Sequence, residues 1–275
     1  MIPDRSPERS GIVNVINNKK RKGLNLELRA VLFDLDNTLI LFEEDKFFTA
    51  YTKKLYLSFR DLLTPQKFAE RLMYATLMMT KNDGKTTNAE FFVRHFADGI
   101  PISSDQLWLR FEKFYATEFE QFHSLMAPLA GAREIVINLK KRGLKLVIAT
   151  NPMFPINVQL IRLRWANLDD ICFDLITSAD NSNYCKPNLH YYHEICQKIK
   201  LPPEQCLMVG NDAFNDMIAA KTGMKTYLAT DSDHLSIELS RALAKHSKVE
   251  MPAPDFKGPL SELCHTLEKF KLIPE

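Results

Sequence analysis

No run of about 18 consecutive apolar residues occurs in the chain, so it offers no candidate for a membrane-spanning helix. Charge of one sign is scarce as well. The 36 lysines and arginines against 34 aspartates and glutamates leave a net charge of +2. That is too small to draw the chain to nucleic acid or to a membrane surface by charge alone, and neither partner is expected. The one dense basic run, Lys19 to Lys22 (KKRK), has no apolar stretch behind it and does not read as a secretory signal. It sits in a polar leader, residues 1–26, expected to be a mobile, solvated extension. Cysteines number five, an odd count without a CxxC pair, which argues against a disulfide framework or a cysteine metal cluster and for a reducing cytoplasm. His95, His123, His190, His193 and His234 show no ligand spacing and read as surface or packing residues.

What is present suits one large domain with an inserted partner. The chain has 275 residues, 45% of them hydrophobic, enough for a sizeable core. Five short apolar runs end in polar or small residues: AVLFDLD (30–36), LKLVIATN (144–151), CFDLITS (172–178), CLMVGND (206–212) and KTYLAT (225–230). Each is continuous rather than alternating, as expected of strands covered on both faces of a parallel sheet. Helical patterns separate the later runs: AREIVINLKKRG, stopping at Gly143, then NLHYYHEICQKIK and NDMIAAKTG. This alternation predicts an α/β fold, a three-layer Rossmann-like parallel sheet core with right-handed crossovers.

Between the first two strands the pattern changes. Residues 42–127 carry only long helical segments rich in Phe, Leu and Met, far more than the dozen or so residues a crossover needs. They are expected to form an inserted all-helical domain, with 27–41 and 128–275 as the core. The aromatic and Met positions read chiefly as the insert's own core, a few of them as candidates to line a pocket facing the sheet. Past residue 250 the chain reads as an edge strand or loop and a closing helix.

In open α/β sheets the reactive groups lie beyond the carboxyl ends of the strands. The residues ending the apolar runs should therefore meet: Asp34 and Asp36, Thr150 and Asn151, Asn211, Asp212 and Asp216, with Lys186 after the third run. Side chains alternate along a strand, so Asp34 and Asp36 point to the same side. Carboxylates gathered this way repel without a counter-charge, and a hard divalent cation held by oxygens meets that need. One carboxylate can then attack and another manage protons. Thr150 is placed to donate to a phosphoryl oxygen and Lys186 to neutralise charge. Asp216 also reads as a helix cap. Glu43, Glu44 and Lys46, in the FEEDKFF segment after the first run, are candidates for specificity.

The motifs DLDNT (Asp34–Thr38), IATN with Thr150, KPN with Lys186 and VGNDAFND (Val209–Asp216) stand in the order and spacing of the haloacid dehalogenase superfamily, which residues 29–230 resemble. The long helical insertion resembles the cap of those members whose cap follows the first motif. The resemblance implies a Mg2+-dependent phosphomonoester hydrolase acting on a small phosphorylated metabolite, as a monomer or homodimer; a sugar-phosphate mutase or a dehalogenase of the same superfamily, or a non-catalytic binding protein on this fold, are the alternatives. Asp34 would be the nucleophile, and Asp36 the acid and base that also reaches the metal through its backbone carbonyl. Thr150 would orient the phosphoryl group, Lys186 would neutralise charge, and Asp212 and Asp216 would complete the metal site; Asn151, beside Thr150, is a separate candidate to touch the bound phosphate or the nucleophile's loop. Here Gly210 is followed by Asn211 and then Asp212 where many members have GD, so Asn211 is the alternative ligand. Members that break carbon–halogen bonds typically lack the second aspartate, which this chain has at position 36.

Overall fold

A computed structural model describes residues 27–232 and 251–273. The basic leader and His234 lie outside the described residues. Six strands form one parallel sheet in the order β5-β4-β1-β6-β7-β8: β1 (Ala30–Phe33), β4 (Lys145–Ile148), β5 (Leu175–Ile176), β6 (Cys206–Gly210), β7 (Lys225–Ala229) and β8 (Phe256–Gly258). The five expected strands are all there, and β8 is the expected edge strand of the tail.

Alternate residues of β1 face two separate cores, as the strand's period of two requires. Val31 and Phe33 pack with α5 (Ala132–Lys141), α6 (Ile156–Trp165) and α8 (Leu263–Lys269). Ala30 and Leu32 pack with Tyr191, Ile195 and Ile199 of α7 (Leu189–Ile199). The fold is thus α/β in three layers, with the central strands buried on both sides.

The region between the first two sheet strands holds four helices: α1 (Glu44–Tyr56), α2 (Pro65–Met79), α3 (Asn88–Ala97) and α4 (Ser104–Thr117). Thr64, Thr87 and Ser103 cap the last three through their side chains, with full capping boxes at Thr87 and Ser103. The Phe-rich pattern becomes an aromatic cluster. Phe59, Phe68, Phe96 and Phe111 are fully buried, and the rings of Phe59 and Phe111 lie 4.7 Å apart. Each such pair contributes about 0.5–1.5 kcal/mol beyond the area it buries.

Two features differ from the sequence reading. A short antiparallel pair, β2 (Ile40–Phe42) with β3 (Met126–Pro128), closes the base of the helical region. At three residues each, these strands are too short to show a period. Residues 217–222, read as a helix, form a 3-10 turn instead.

Candidate active site

The β1 register sets Phe33 beside Ile148 of β4 and Val209 of β6. These three strands therefore end nearly flush, and the residues just past them converge. Asp34, Asp36, Thr150, Asn151, Lys186, Asn211, Asp212 and Asp216 all line one pocket of about 250 Å³. None of the described histidines lines it.

At its floor, Lys186 Nζ donates to Asp34 Oδ1 at 2.8 Å and to Asp216 Oδ1 at 2.6 Å. All three residues are at most 8% exposed. Burial works against the Lys186 ammonium, but the two carboxylates outweigh it and hold its pKa well above the ordinary lysine value. Burial raises the Asp34 carboxyl, against the pull of Lys186 and with added repulsion from Asp36 and Asp212. Burial also pushes the Asp216 carboxyl up, against the pull of the Lys186 ammonium beside it.

Asp216 does not cap the turn that follows it. Its Oδ2 accepts from the Asp212 backbone N–H at 3.0 Å, so both its oxygens are engaged. Gly210 allows this arrangement, because a Cβ there would collide with the Asp216 carboxylate. Asp212 accepts from the N–H groups of Phe214 and Asn215 within its own turn. The Asn211 backbone N–H donates to Thr38 Oγ1 at 3.1 Å, and that hydroxyl donates to Asn211 Oδ1 at 3.3 Å, which ties the loop after β1 to the loop after β6. Asn151 Oδ1 accepts from the Lys186 backbone N–H at 3.2 Å and fixes the lysine's loop. The Thr150 carbonyl accepts from Thr177 Oγ1 and the Tyr191 hydroxyl.

One charged member of the pocket escaped the sequence reading. Arg162, 2% exposed on α6, donates from Nη2 to Asp36 Oδ1. Its Nη1 donates to Gln159 Oε1 at 2.9 Å, and its guanidinium lies 5.9 Å from the ring centres of both Phe42 and Phe154. Arginine is normally a surface residue, so the sequence alone places it in solvent. The only signal was the Gln159–Arg162 spacing of three, which puts both on one helix face.

Glu44 lines the pocket as well, and its carboxyl is raised by burial and by Asp36. Glu43 and Lys46 pair with each other at the surface, outside the pocket.

The pocket thus holds five carboxylates (Asp34, Asp36, Glu44, Asp212 and Asp216) against two cations, Arg162 and Lys186. That excess of hard oxygen donors suits a divalent cation. Among the described residues no cluster of three or more His, Cys, Asp and Glu is arranged to cage a metal unaided. Mg2+ fits such a partial set, because it usually takes one or two carboxylates and fills its shell with water and substrate phosphate.

Comparison with known proteins shows the family. The profile of haloacid dehalogenase-like hydrolases matches residues 28–223, and the chain belongs to that family. It is 32% identical over 112 residues to haloacid dehalogenase-like hydrolase domain-containing protein 3 of Xenopus laevis, which is 40% of this chain and 44% of that relative's length. It is 24% identical over 238 residues to a glyceraldehyde 3-phosphate phosphatase of Pyrococcus furiosus, 82% of this chain and 90% of that protein. Its fold resembles the crystal structure of a phosphatase of the same superfamily from Thermococcus onnurineus, with a TM-score of 0.52 and 20% identity over 87% of this chain and 98% of that one. No helix among the described residues is long and apolar enough to cross a membrane.

Proposed function

We propose that the protein is a Mg2+-dependent phosphomonoester hydrolase that works through an aspartyl-phosphate on Asp34. The observation that carries this reading is the buried Asp34–Lys186–Asp216 arrangement with Asp36 on the same pocket wall. Its phosphatase relative from Pyrococcus furiosus supports the same reaction class.

Asp34 Oδ2 attacks phosphorus, and the phosphorus–oxygen bond to the leaving group breaks. Asp36 gives the departing alkoxide its proton. It then takes a proton from water, which attacks the aspartyl-phosphate, releases inorganic phosphate and restores Asp34. Arg162 holds Asp36 Oδ1, which leaves Oδ2 for these transfers. Lys186 balances charge on Asp34 and on the transferring group, and Thr150 donates to a phosphoryl oxygen. Asn151 keeps the lysine loop in place. Asp34, the Asp36 carbonyl and Asp212 would hold Mg2+, which supplies charge stabilisation at the phosphoryl oxygens. Asn211 remains the alternative ligand, though Thr38 and Ser232 already engage its side chain. Asp216, fully buried and held at Oδ1 by the Lys186 ammonium, serves the site chiefly by anchoring that ammonium, whereas Asp212 accepts from amide N–H groups of its own turn at both oxygens. Helices α1–α4 act as the cap that selects the leaving group.

The test is release of p-nitrophenol from p-nitrophenyl phosphate with and without Mg2+. Mg2+-dependent turnover in the wild type is expected, and its absence contradicts the reading.

A further inference from the structure

A second cavity opens beside the catalytic pocket, with a volume of about 590 Å³, within the range that holds a small organic ligand. It lies among the helices α1–α4 and the segment 153–155, which follows β4. Phe48, Met153 and Phe154 line both spaces, so the two adjoin through a shared wall of apolar side chains. The reactive end is acidic and basic, whereas no charged residue lines the larger cavity. Its walls are Leu72, Met79, Phe92 and similar side chains, with threonine hydroxyls as the main polar groups left over. The two tyrosines that could have offered more, Tyr51 and Tyr115, are buried and spend their hydroxyls on each other at 2.8 Å. At the rim Phe48, Met73 and Leu77 are 40%, 70% and 53% exposed, although they are large and apolar.

We infer that this cavity receives the leaving group, and that the substrate class is the phosphate monoesters of apolar alcohols, alkyl or aryl-alkyl. The inference rests on the phosphatase reading above and deepens it. A sugar or glycerol leaving group carries several hydroxyls, each costing about 1–3 kcal/mol when buried without a partner, and this cavity has few partners to give. A hydrocarbon chain asks for none and gains from each methylene removed from water. Methionines on the wall (Met73, Met79 and Met153) adapt to chains of different shape. The bare apolar side chains at the rim are what an entrance for such a chain requires, and large apolar patches on soluble proteins usually mark such sites.

The experiment measures free phosphate release by the wild-type protein with Mg2+ from a series of n-alkyl phosphates, ethyl to decyl, each below its micelle-forming concentration. Glycerol 1-phosphate and glucose 6-phosphate serve as polar comparisons. The expected result is a kcat/KM that climbs about threefold per methylene until the cavity is full and then levels, with both polar esters below the longer alkyl esters. A flat or falling series, or polar esters turned over as well as octyl phosphate, overturns the inference and leaves the phosphatase reading standing. No turnover of any ester overturns both. Narrowing the cavity with Thr76→Phe or Ala69→Phe, each checked by thermal melting, should lower the octyl-to-ethyl ratio of kcat/KM at least about tenfold. An unchanged ratio in a folded variant means the rim and cavity serve another purpose, such as docking a protein, and overturns the assignment.

Discussion

Arg162 and Asp36 meet inside the protein: a buried guanidinium, set between Phe42 and Phe154, donates to the carboxylate two residues beyond Asp34. The pairing engages Asp36 Oδ1, and in the proposed reaction Oδ2 is the oxygen that carries the proton. Arg162→Lys keeps a charge but loses the planar fork that reaches both Asp36 and Gln159. Its turnover is expected to fall about 10- to 100-fold, with a larger loss for alkyl phosphates than for p-nitrophenyl phosphate, whose leaving group needs little proton assistance. Equal losses on both esters would mean that Arg162 supports the fold and does not direct proton transfer.

Lys186 is the counter-charge for two buried carboxylates. Removing it in Lys186→Met strands both, a change that costs about 3–5 kcal/mol in comparable buried pairs. A denaturant titration of this variant should show that loss, and Asp216→Asn should cost less because Lys186 keeps Asp34. Equal stability of Lys186→Met and wild type would contradict the placement of the ammonium.

The Thr38 hydroxyl, fully buried, links the loops after β1 and β6 through Asn211. Thr38→Val keeps the shape, removes both bonds and leaves Asn211 groups unpaired. A loss of about 1–3 kcal/mol in thermal or chemical unfolding is expected.

Cys185 is buried, and burial pushes its thiol up to about 12, against a bond from Asn88. Only the thiolate reacts, so alkylation of the folded protein at pH 8 should leave Cys185 unmodified while the exposed Cys172 reacts. Raising the pH toward 10 should not change that order, because the folded thiol stays protonated until about 12. Peptide mapping after brief iodoacetamide treatment reads the result.

Metal removal tests the carboxylate pocket directly. Turnover should vanish in EDTA and return with Mg2+. Asp212→Ala should need far more Mg2+ for half-maximal turnover, and Asn211→Ala only slightly more. The reverse order would make Asn211 the ligand.

The sheet was legible because strands covered on both sides must be apolar throughout, so Ala30–Phe33 and Cys206–Gly210 stand out as unbroken runs. The helices α2–α4 were legible from their Phe-, Leu- and Met-rich helical patterning, while their caps at Thr64, Thr87 and Ser103 emerge only in the structure. The convergence of Asp34, Thr150 and Lys186 follows from one rule about strand ends. What the sequence hid depends on long-range packing. Arg162 sits 126 residues from Asp36, and nothing local marks it as buried. The carboxylate of Asp216 reads as a cap until the close approach at Gly210 is known. The apolar cavity arises between helices that each look like ordinary core, so no single segment announces it.

The central claim is that Asp34 attacks phosphorus in a Mg2+-assisted reaction. The most direct measurement compares p-nitrophenyl phosphate hydrolysis by the wild type and by Asp34→Asn, both with Mg2+ and both shown to be folded. The account predicts Mg2+-dependent turnover in the wild type and a loss of about a thousandfold or more in Asp34→Asn. Undiminished turnover in that variant would contradict it.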